Sequence, residues 1–525
     1  MKLPTERNRA GAHAFKLLAR TGCGLILLGL SACGAMEPRS ELADLKMEIA
    51  NLADGAPASA NAEPGKEIGE ARPGDLSRSA NLTAGLVGSM LKTYTTDPFV
   101  RPVSTIKSLG FLLKNSVSDF SNRIYINSVQ LPLIKGSPVP ALANEPGMDL
   151  EEWEQALERI TGSKSSTGTL EFLIDGEQFF PALIQQIEAA EQSIQIRTYI
   201  FDNDDYAVQI ADLLKKRSQQ VEVSVLMDGI GTLAGASVMP ASMPVTHVPP
   251  VSMVRYLQTD SRVKARALTN PWFTGDHCKV AIFDRKIAFL GGMNIGREYR
   301  YEWHDLMVRV EGPVVKKLAR DADKAWVQSS MWGELALLFG ANRGPDETPS
   351  MDGYPVRVLY TDSENSQIYA AKIAAIRRAR QYIYMENPYF SDDVILYELI
   401  KARRRGVDVR FIISERGDMP LMDMSNVEAM NELLANGIRV FVYPGMAHSK
   451  AAIIDGWLTV GSANLDHLSM RVNNEVNLAT SHPQAVQALR EGLFDRDFEV
   501  STELKQPLKT QLTHWLAEVF ADVLM

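Results

Sequence analysis

From Ile194 to Ile200 the chain alternates: Ile194, Ile196, Thr198 and Ile200 fall on one side, and Gln195, Arg197 and Tyr199 on the other. A period of two over that length predicts a strand. A helical stretch around Ile210 to Lys216 follows, and then a strand from Val221 to Met227 ending at Asp228-Gly229. The same order returns further on. Gln381 to Phe390 reads as a strand running into Asn387-Pro388-Tyr389, Val394 to Arg403 as a helix, and Val407 to Ile413 as a strand. Each unit leads towards a histidine that precedes another apolar run. The pattern predicts an α/β protein of two duplicated halves, each a mixed, mainly parallel sheet flanked by helices. Packing the two sheets together would bring the histidines to their interface.

Those histidines carry the most specific signal. His277-Cys278-Lys279, followed by Asp284, recurs as His448-Ser449-Lys450, followed by Asp455, so each copy reads H-x-K-x4-D. His277 and His448 are 171 apart, as are Lys279 and Lys450, and Asp284 and Asp455. Gly291-Gly292-Met293-Asn294 then answers to Gly461-Ser462-Ala463-Asn464 at an offset of 170, which also carries Asp305 onto Glu475. Agreement at this many polar positions in one order is the mark of an internal repeat.

Two histidines and two lysines around one phosphate can support phosphodiester chemistry without a metal. A neutral imidazole can attack phosphorus and form a covalent intermediate. A second, protonated one can supply the leaving alkoxide with a proton. Lys279 and Lys450 would neutralise the non-bridging oxygens, and Asn294 and Asn464 could add neutral donors. Asp305 and Glu475 are expected to orient the histidines, a carboxylate on the far ring nitrogen fixing the tautomer. Asp284 and Asp455 sit just after apolar runs, where they either hold a turn or touch substrate. Gly291, Gly292 and Gly461 suit close backbone approach. His304 has no counterpart, since Asn474 stands in its place, and it is left outside the catalytic set.

The segments HCKVAIFDRKIAFLGGMNIGREY and HSKAAIIDGWLTVGSANLDHLSMRVNNEVNL resemble the two signature regions of the phospholipase D superfamily, in its bacterial cardiolipin synthase branch. The resemblance spans about residues 170 to 500. It implies two phospholipase D-like halves, over 151–343 and 344–525, with one active site between them and no cofactor. It also implies His277 as nucleophile and His448 as general acid/base, acting on phospholipid. The expected reaction is formation of cardiolipin from phosphatidylglycerol or a related donor. Hydrolysis to phosphatidic acid, a nuclease and a non-catalytic lipid-binding module are the alternatives. Water and a lipid hydroxyl would use the same residues, so the acceptor stays open, as does the oligomeric state.

Composition changes this picture little. The 525 residues, 45% of them hydrophobic, suffice for two sizeable cores. A net charge of −9 lacks the broad basic surface that nucleic acid would require, so no nucleic-acid partner is expected. The run Arg403 to Arg405 reads as a solvated helix end rather than a lipid site.

The N-terminus adds a location. Lys2, Arg7, Arg9, Lys16 and Arg20 precede an apolar run from Cys23 to Leu30, too short to span a bilayer. Leu30-Ser31-Ala32-Cys33 matches a bacterial lipobox. Residues 1–32 are therefore expected to be a signal peptide and Cys33 the lipidated residue. Gly34 favours the outer membrane, facing the periplasm. Residues 33–150 read as a tether, flexible over Ala53 to Ser79, followed by a helical region. In that region Ile106, Leu109, Leu112 and Leu113 are expected to pack on the core. The Met-containing stretches Val238 to Met253 and Met419 to Met430 are expected to be ordinary loop and core. Cys278 would be a buried small residue rather than a metal ligand, and no disulfide or metal site is expected.

Overall fold

The computed structural model describes residues 91–111, 131–134, 138–330 and 353–510, apart from 239, 241, 272–273 and 363, with 85, 88, 89, 126 and 333 besides. The signal peptide, Cys33, the tether at 53–79, Leu112 and Leu113 lie outside the described residues.

The first half contributes seven strands: β1 Ser166–Ile174, β2 Ser193–Thr198, β3 Glu222–Asp228, β4 Lys264–Leu268, β5 Val280–Phe283, β6 Ile287–Gly291 and β7 Leu306–Glu311. The second contributes β8 Tyr354–Thr361, β9 Tyr382–Glu386, β10 Asp408–Ser414, β11 Arg439–Tyr443, β12 Ala451–Ile454, β13 Trp457–Gly461, β14 Glu475–Thr480 and the short β15 Thr502–Glu503. The halves share one topology. Their orders are β1-β7-β6-β5-β2-β3-β4 and β8-β14-β13-β12-β9-β10-β11, with β15 added to the second edge. An antiparallel pairing of β1 with β8, Gly168 opposite Tyr354, makes the two sheets continuous.

The alternation read from Ile194 survives as β2, and helices Asp205–Arg217 and Asp393–Arg404 stand where the pattern placed them. The expected mainly parallel pairing does not. Only β2-β3-β4 and β9-β10-β11 are parallel, and every other pairing is antiparallel. The cause is the hairpin after each histidine strand, because a short turn can only reverse the chain. Asp455-Gly456 closes Ile454 onto Trp457 with both residues at positive φ, 46° and 90°, as a tight two-residue turn demands. In the first half three residues, 284–286, close Phe283 onto Ile287. The repeat loses its one residue in this turn, and the offset drops from 171 to 170.

The sheet faces of the halves pack on each other. One core holds Cys278, Val280, Ile282, Leu290 and Val308 from the first half with Ile412, Ile453, Val460 and Leu478 from the second. Cys278 is 1% exposed there, as alternation required. Helices cover the outer faces. Helix Leu150–Thr161 begins the first half in chain order but packs on the second, with Trp153 edge-on to Trp457 at 5.3 Å. One further expectation changes. Ile106 and Leu109 are 74% and 42% exposed, so they do not pack on the core. The Met-containing stretches are ordinary loop and core, as read: the loop before Met253 leaves Val245, Val248 and Val251 exposed, whereas Met422 and Met430 are buried. Arg403 and Arg405 also cap backbone carbonyls of Gly437, Pro140, Ile376 and Ala379, while Arg405 stays exposed as the reading of a solvated helix end expected.

Candidate active site

Each histidine stands three residues before the first residue of its strand and sits where the halves meet. His277 N–H donates to Asn474 O (3.0 Å), and His448 N–H donates to His304 O (2.6 Å). These cross-links set each histidine beside the carboxylate of the opposite half. His277 Nδ1 lies 2.8 Å from Glu475 Oε1, and His448 Nδ1 lies 2.7 Å from Asp305 Oδ2. The orienting carboxylates foreseen in the sequence are therefore present, and they are exchanged between the halves. Both are fully buried. With Nδ1 engaged, Nε2 is left as the reactive nitrogen of each ring.

The turns after β6 and β13 make room for this. A Cβ on Gly292 would stand 2.1 Å from Asp305 Oδ1, so only glycine leaves space for that carboxylate. The second half carries Ser462 instead, and its hydroxyl donates to Glu475 Oε2. Gly291 and Gly461 are forced for a simpler reason: their Cβ would meet the backbone oxygens of Leu306 and Val476 at 2.2 and 2.3 Å.

Lys279 and Lys450 are 1% exposed, and each ammonium donates to the carbonyl of the histidine two residues before it, His277 (2.9 Å) and His448. Burial lowers Lys279 to about 8 and Lys450 to about 7, against the attraction of Glu475 and Asp305 respectively. Burial and the two lysines hold both imidazoles well below their ordinary range. Burial raises Glu475 to about 8, opposed by Lys279, and Asp305 to about 7, opposed by Lys450. Both histidines and both carboxylates feel both lysines. Neutral imidazoles beside buried cations are ready for an anion that restores the charge balance.

The remaining sequence candidates divide. Asn294 Nδ2 donates to Tyr299 Oη (2.8 Å), and its Oδ1 accepts from Ile200 N–H (3.0 Å), so it braces the end of β2. Asn464 is buried in the matching turn. Asp284 and Asp455 are not at the site. They lie at the far ends of β5 and β12, where Asp284 accepts from the backbone N–H groups of Glu191, Gln192 and Ser193. Asp455 does the same for Met148, Arg380, Gln381 and Tyr382. They hold turns; the substrate-touching alternative falls away.

Sequence reasoning missed the aromatic walls. Tyr199 meets His277 edge-on at 4.7 Å, and Trp303 lies 5.1 Å from His448. Tyr199 was legible only as a strand residue, and Trp303 only as a neighbour of Asp305. Ser462 could have been found from the paired change of Gly292 to Ser and Asp305 to Glu across the repeat.

The family model described as cardiolipin synthase, PLD-like domain, matches residues 183–326 and 373–498. The chain belongs to that family. It is 30% identical over 353 residues to a cardiolipin synthase of Oceanobacillus iheyensis, covering 65% of this chain and 71% of that one. Cardiolipin synthase B of Escherichia coli is 30% identical over 358 residues, covering 65% and 84%. Among solved structures, phosphatidylserine synthase of Haemophilus influenzae superposes with a TM-score of 0.54 at 14% identity, over 71% of this chain and 98% of that one. That likeness bears on the fold, which is the mixed α/β fold of this phospholipase D-like family.

Proposed function

We propose that this member of the family is a phosphatidyltransferase that makes cardiolipin from phosphatidylglycerol through a phosphohistidine. The observation that carries the reading is the crossed pair of histidine–carboxylate dyads around two buried lysines. In the first step His277 Nε2 forms a bond to phosphorus as the bond to the departing glycerol oxygen breaks, and His448 gives that oxygen its proton. The phosphate anion offsets the two lysine charges, which lets His448 hold that proton before transfer. In the second step neutral His448 takes the proton of an incoming hydroxyl, the oxygen attacks phosphorus, and the P–N bond breaks. Two phosphatidylglycerols give one cardiolipin and one glycerol; water as acceptor gives phosphatidic acid. The cardiolipin synthase relatives favour the lipid hydroxyl.

The site also belongs at a membrane. The basic n-region, short apolar run and lipobox support cleavage before Cys33 and lipidation of its thiol, holding the protein at the outer membrane facing the periplasm. Each acyl methylene contributes about 0.8 kcal/mol. Among the described residues no helix is long and apolar enough to cross a membrane.

Incubating the purified protein with labelled phosphatidylglycerol tests the reading. Cardiolipin plus glycerol supports the synthase and phosphatidic acid the hydrolase. Activity on a DNA substrate alone would favour the nuclease.

A further inference from the structure

The two halves differ beneath the site, on the side of each sheet turned away from the reactive histidines. Arg197 in β2 lies opposite Val280, and Glu386 in β9 lies opposite Ala451, so the two occupy the same place in the repeat. In the first half the guanidinium of Arg197 is held between two carboxylates, Asp276 (2.8 Å) and Asp321 (2.6 Å). The fold there carries its own cation. In the second half that position is an acid, fully buried, and the C-terminal helix Asp495–Val500 adds Asp497. His304 crosses over from the first half to join them. Its Nε2 lies 3.1 Å from Asp497 Oδ2 and 3.7 Å from Glu386 Oε1.

Three observations turn this cluster into more than a set of acids. Neither oxygen of Glu386 meets hydrogen-bond geometry with a partner, although the side chain is 0% exposed and Asp497 and the Ser449 hydroxyl lie beside it. Among the described residues no lysine or arginine pairs with Glu386, Asp497 or Asp175, so three carboxyl groups surround a single imidazole. The imidazole is also oriented from behind, with its Nδ1 2.8 Å from Asp175 Oδ1. Such a carboxylate–histidine pair is how proteins aim the other ring nitrogen at a metal. One donor atom from each of His304, Glu386 and Asp497 lies within 4.8 Å of the other two. Ligand atoms around a first-row divalent ion at about 2.0–2.2 Å stand roughly 3–3.5 Å apart, close to the two separations seen here.

We propose that His304 Nε2, Glu386 and Asp497 bind one divalent cation, with Asp175 orienting His304. One imidazole and two carboxylates suit a borderline ion such as Zn²⁺ or Mn²⁺ better than Mg²⁺, which prefers an all-oxygen shell. The ion takes the part that the Arg197 guanidinium plays in the first half. It ties β9, the loop before β7 and the C-terminal helix together one residue from Asp305. It touches no reacting atom, so its role is to hold the Asp305–His448 dyad in place.

The test uses the full chain, stripped with chelator, returned to chelator-free buffer and titrated with Zn²⁺, with metal content per chain and thermal midpoint as readouts. One zinc per chain and a midpoint several degrees above that of the stripped protein are expected. Glu386→Gln and Asp497→Asn should each weaken binding at least tenfold and remove the zinc-dependent rise. Glu298→Gln, in the separate acidic group with Asp202 and Asp204, should leave binding intact. No zinc or manganese bound by the wild-type chain would overturn the proposal. Equal binding by both cluster variants would overturn it as well. The wild-type titration decides even if a variant fails to fold.

Discussion

His277 takes its orienting carboxylate from the other copy of the repeat: its Nδ1 lies 2.8 Å from Oε1 of Glu475, 198 residues further along the chain. His448 and Asp305 mirror it. Neither half alone therefore holds a complete dyad, and each dyad forms only when the two halves are packed. The backbone bonds from His277 to Asn474 and from His448 to His304 put the exchange into the main chain as well as the side chains.

The exchange predicts which carboxylate serves which step. Glu475→Gln and Asp305→Asn should each lower kcat on phosphatidylglycerol by roughly 10²–10⁴, the scale seen when a histidine loses its orienting acid. A phosphatidyl p-nitrophenyl ester needs no proton at its leaving group. With that donor Asp305→Asn should release p-nitrophenol at close to the wild-type rate in the first turnover, while Glu475→Gln stays slow. The opposite pattern would mean that each histidine works with the acid of its own half.

Gly292 should tolerate nothing larger. The alanine methyl group would stand 2.1 Å from Asp305 Oδ1, so Gly292→Ala must push that carboxylate off His448. Activity should fall at least a hundredfold, comparable to Asp305→Asn. Ser462→Ala removes one hydrogen bond to Glu475 and should cost about 1 kcal/mol, near tenfold or less in rate. Steady-state kinetics of the two variants side by side checks both.

Asp284→Asn and Asp455→Asn should cost stability rather than chemistry. Each carboxylate gathers several backbone N–H groups at a strand start, and losing its charge should cost about 1–3 kcal/mol in urea unfolding. Below the unfolding transition kcat should stay within a few fold of wild type. The bonds from Glu191, Ser193 and Gln192 outweigh burial and hold the Asp284 carboxyl below its usual range. Its contribution is therefore present above the ordinary carboxylate pKa and lost as pH falls through the depressed one. Asp284→Asn should remove that acid dependence.

The lysines set the alkaline limit. Burial lowers Lys450 to about 7 and Lys279 to about 8, so their charges are present below those values and lost above them. kcat/KM should fall as pH rises through 7 to 8. The limb in kcat should lie higher, because a bound phosphate anion favours both charged forms. A kcat/KM profile flat to pH 10 would contradict the role given to the lysines.

Much of this was legible along the chain. The alternation at Ile194 to Ile200 and its counterpart near Gln381 placed β2 and β9, and the repeat arithmetic found all six members of the dyad-and-lysine cluster. The parallel reading failed where Asp455-Gly456, a hairpin signal between two apolar runs, outweighed the strand–helix–strand pattern around it. The choice between turn and substrate for Asp284 and Asp455 stayed open because spacing along a strand does not tell which of its ends faces the site. The exchange of carboxylates was out of reach for another reason: partner choice depends on how two separately coded halves pack, and both pairings satisfy the same spacing.

The covalent step is the centre of the account, and a burst experiment reaches it most directly. With the p-nitrophenyl donor, His448→Ala should form the intermediate without a general acid and then stall, releasing one equivalent of p-nitrophenol per enzyme. The phosphatidyl label should remain on His277. His277→Ala should show neither burst nor label. A full burst from His277→Ala, or turnover by His448→Ala with no labelled histidine, would contradict nucleophilic attack by His277.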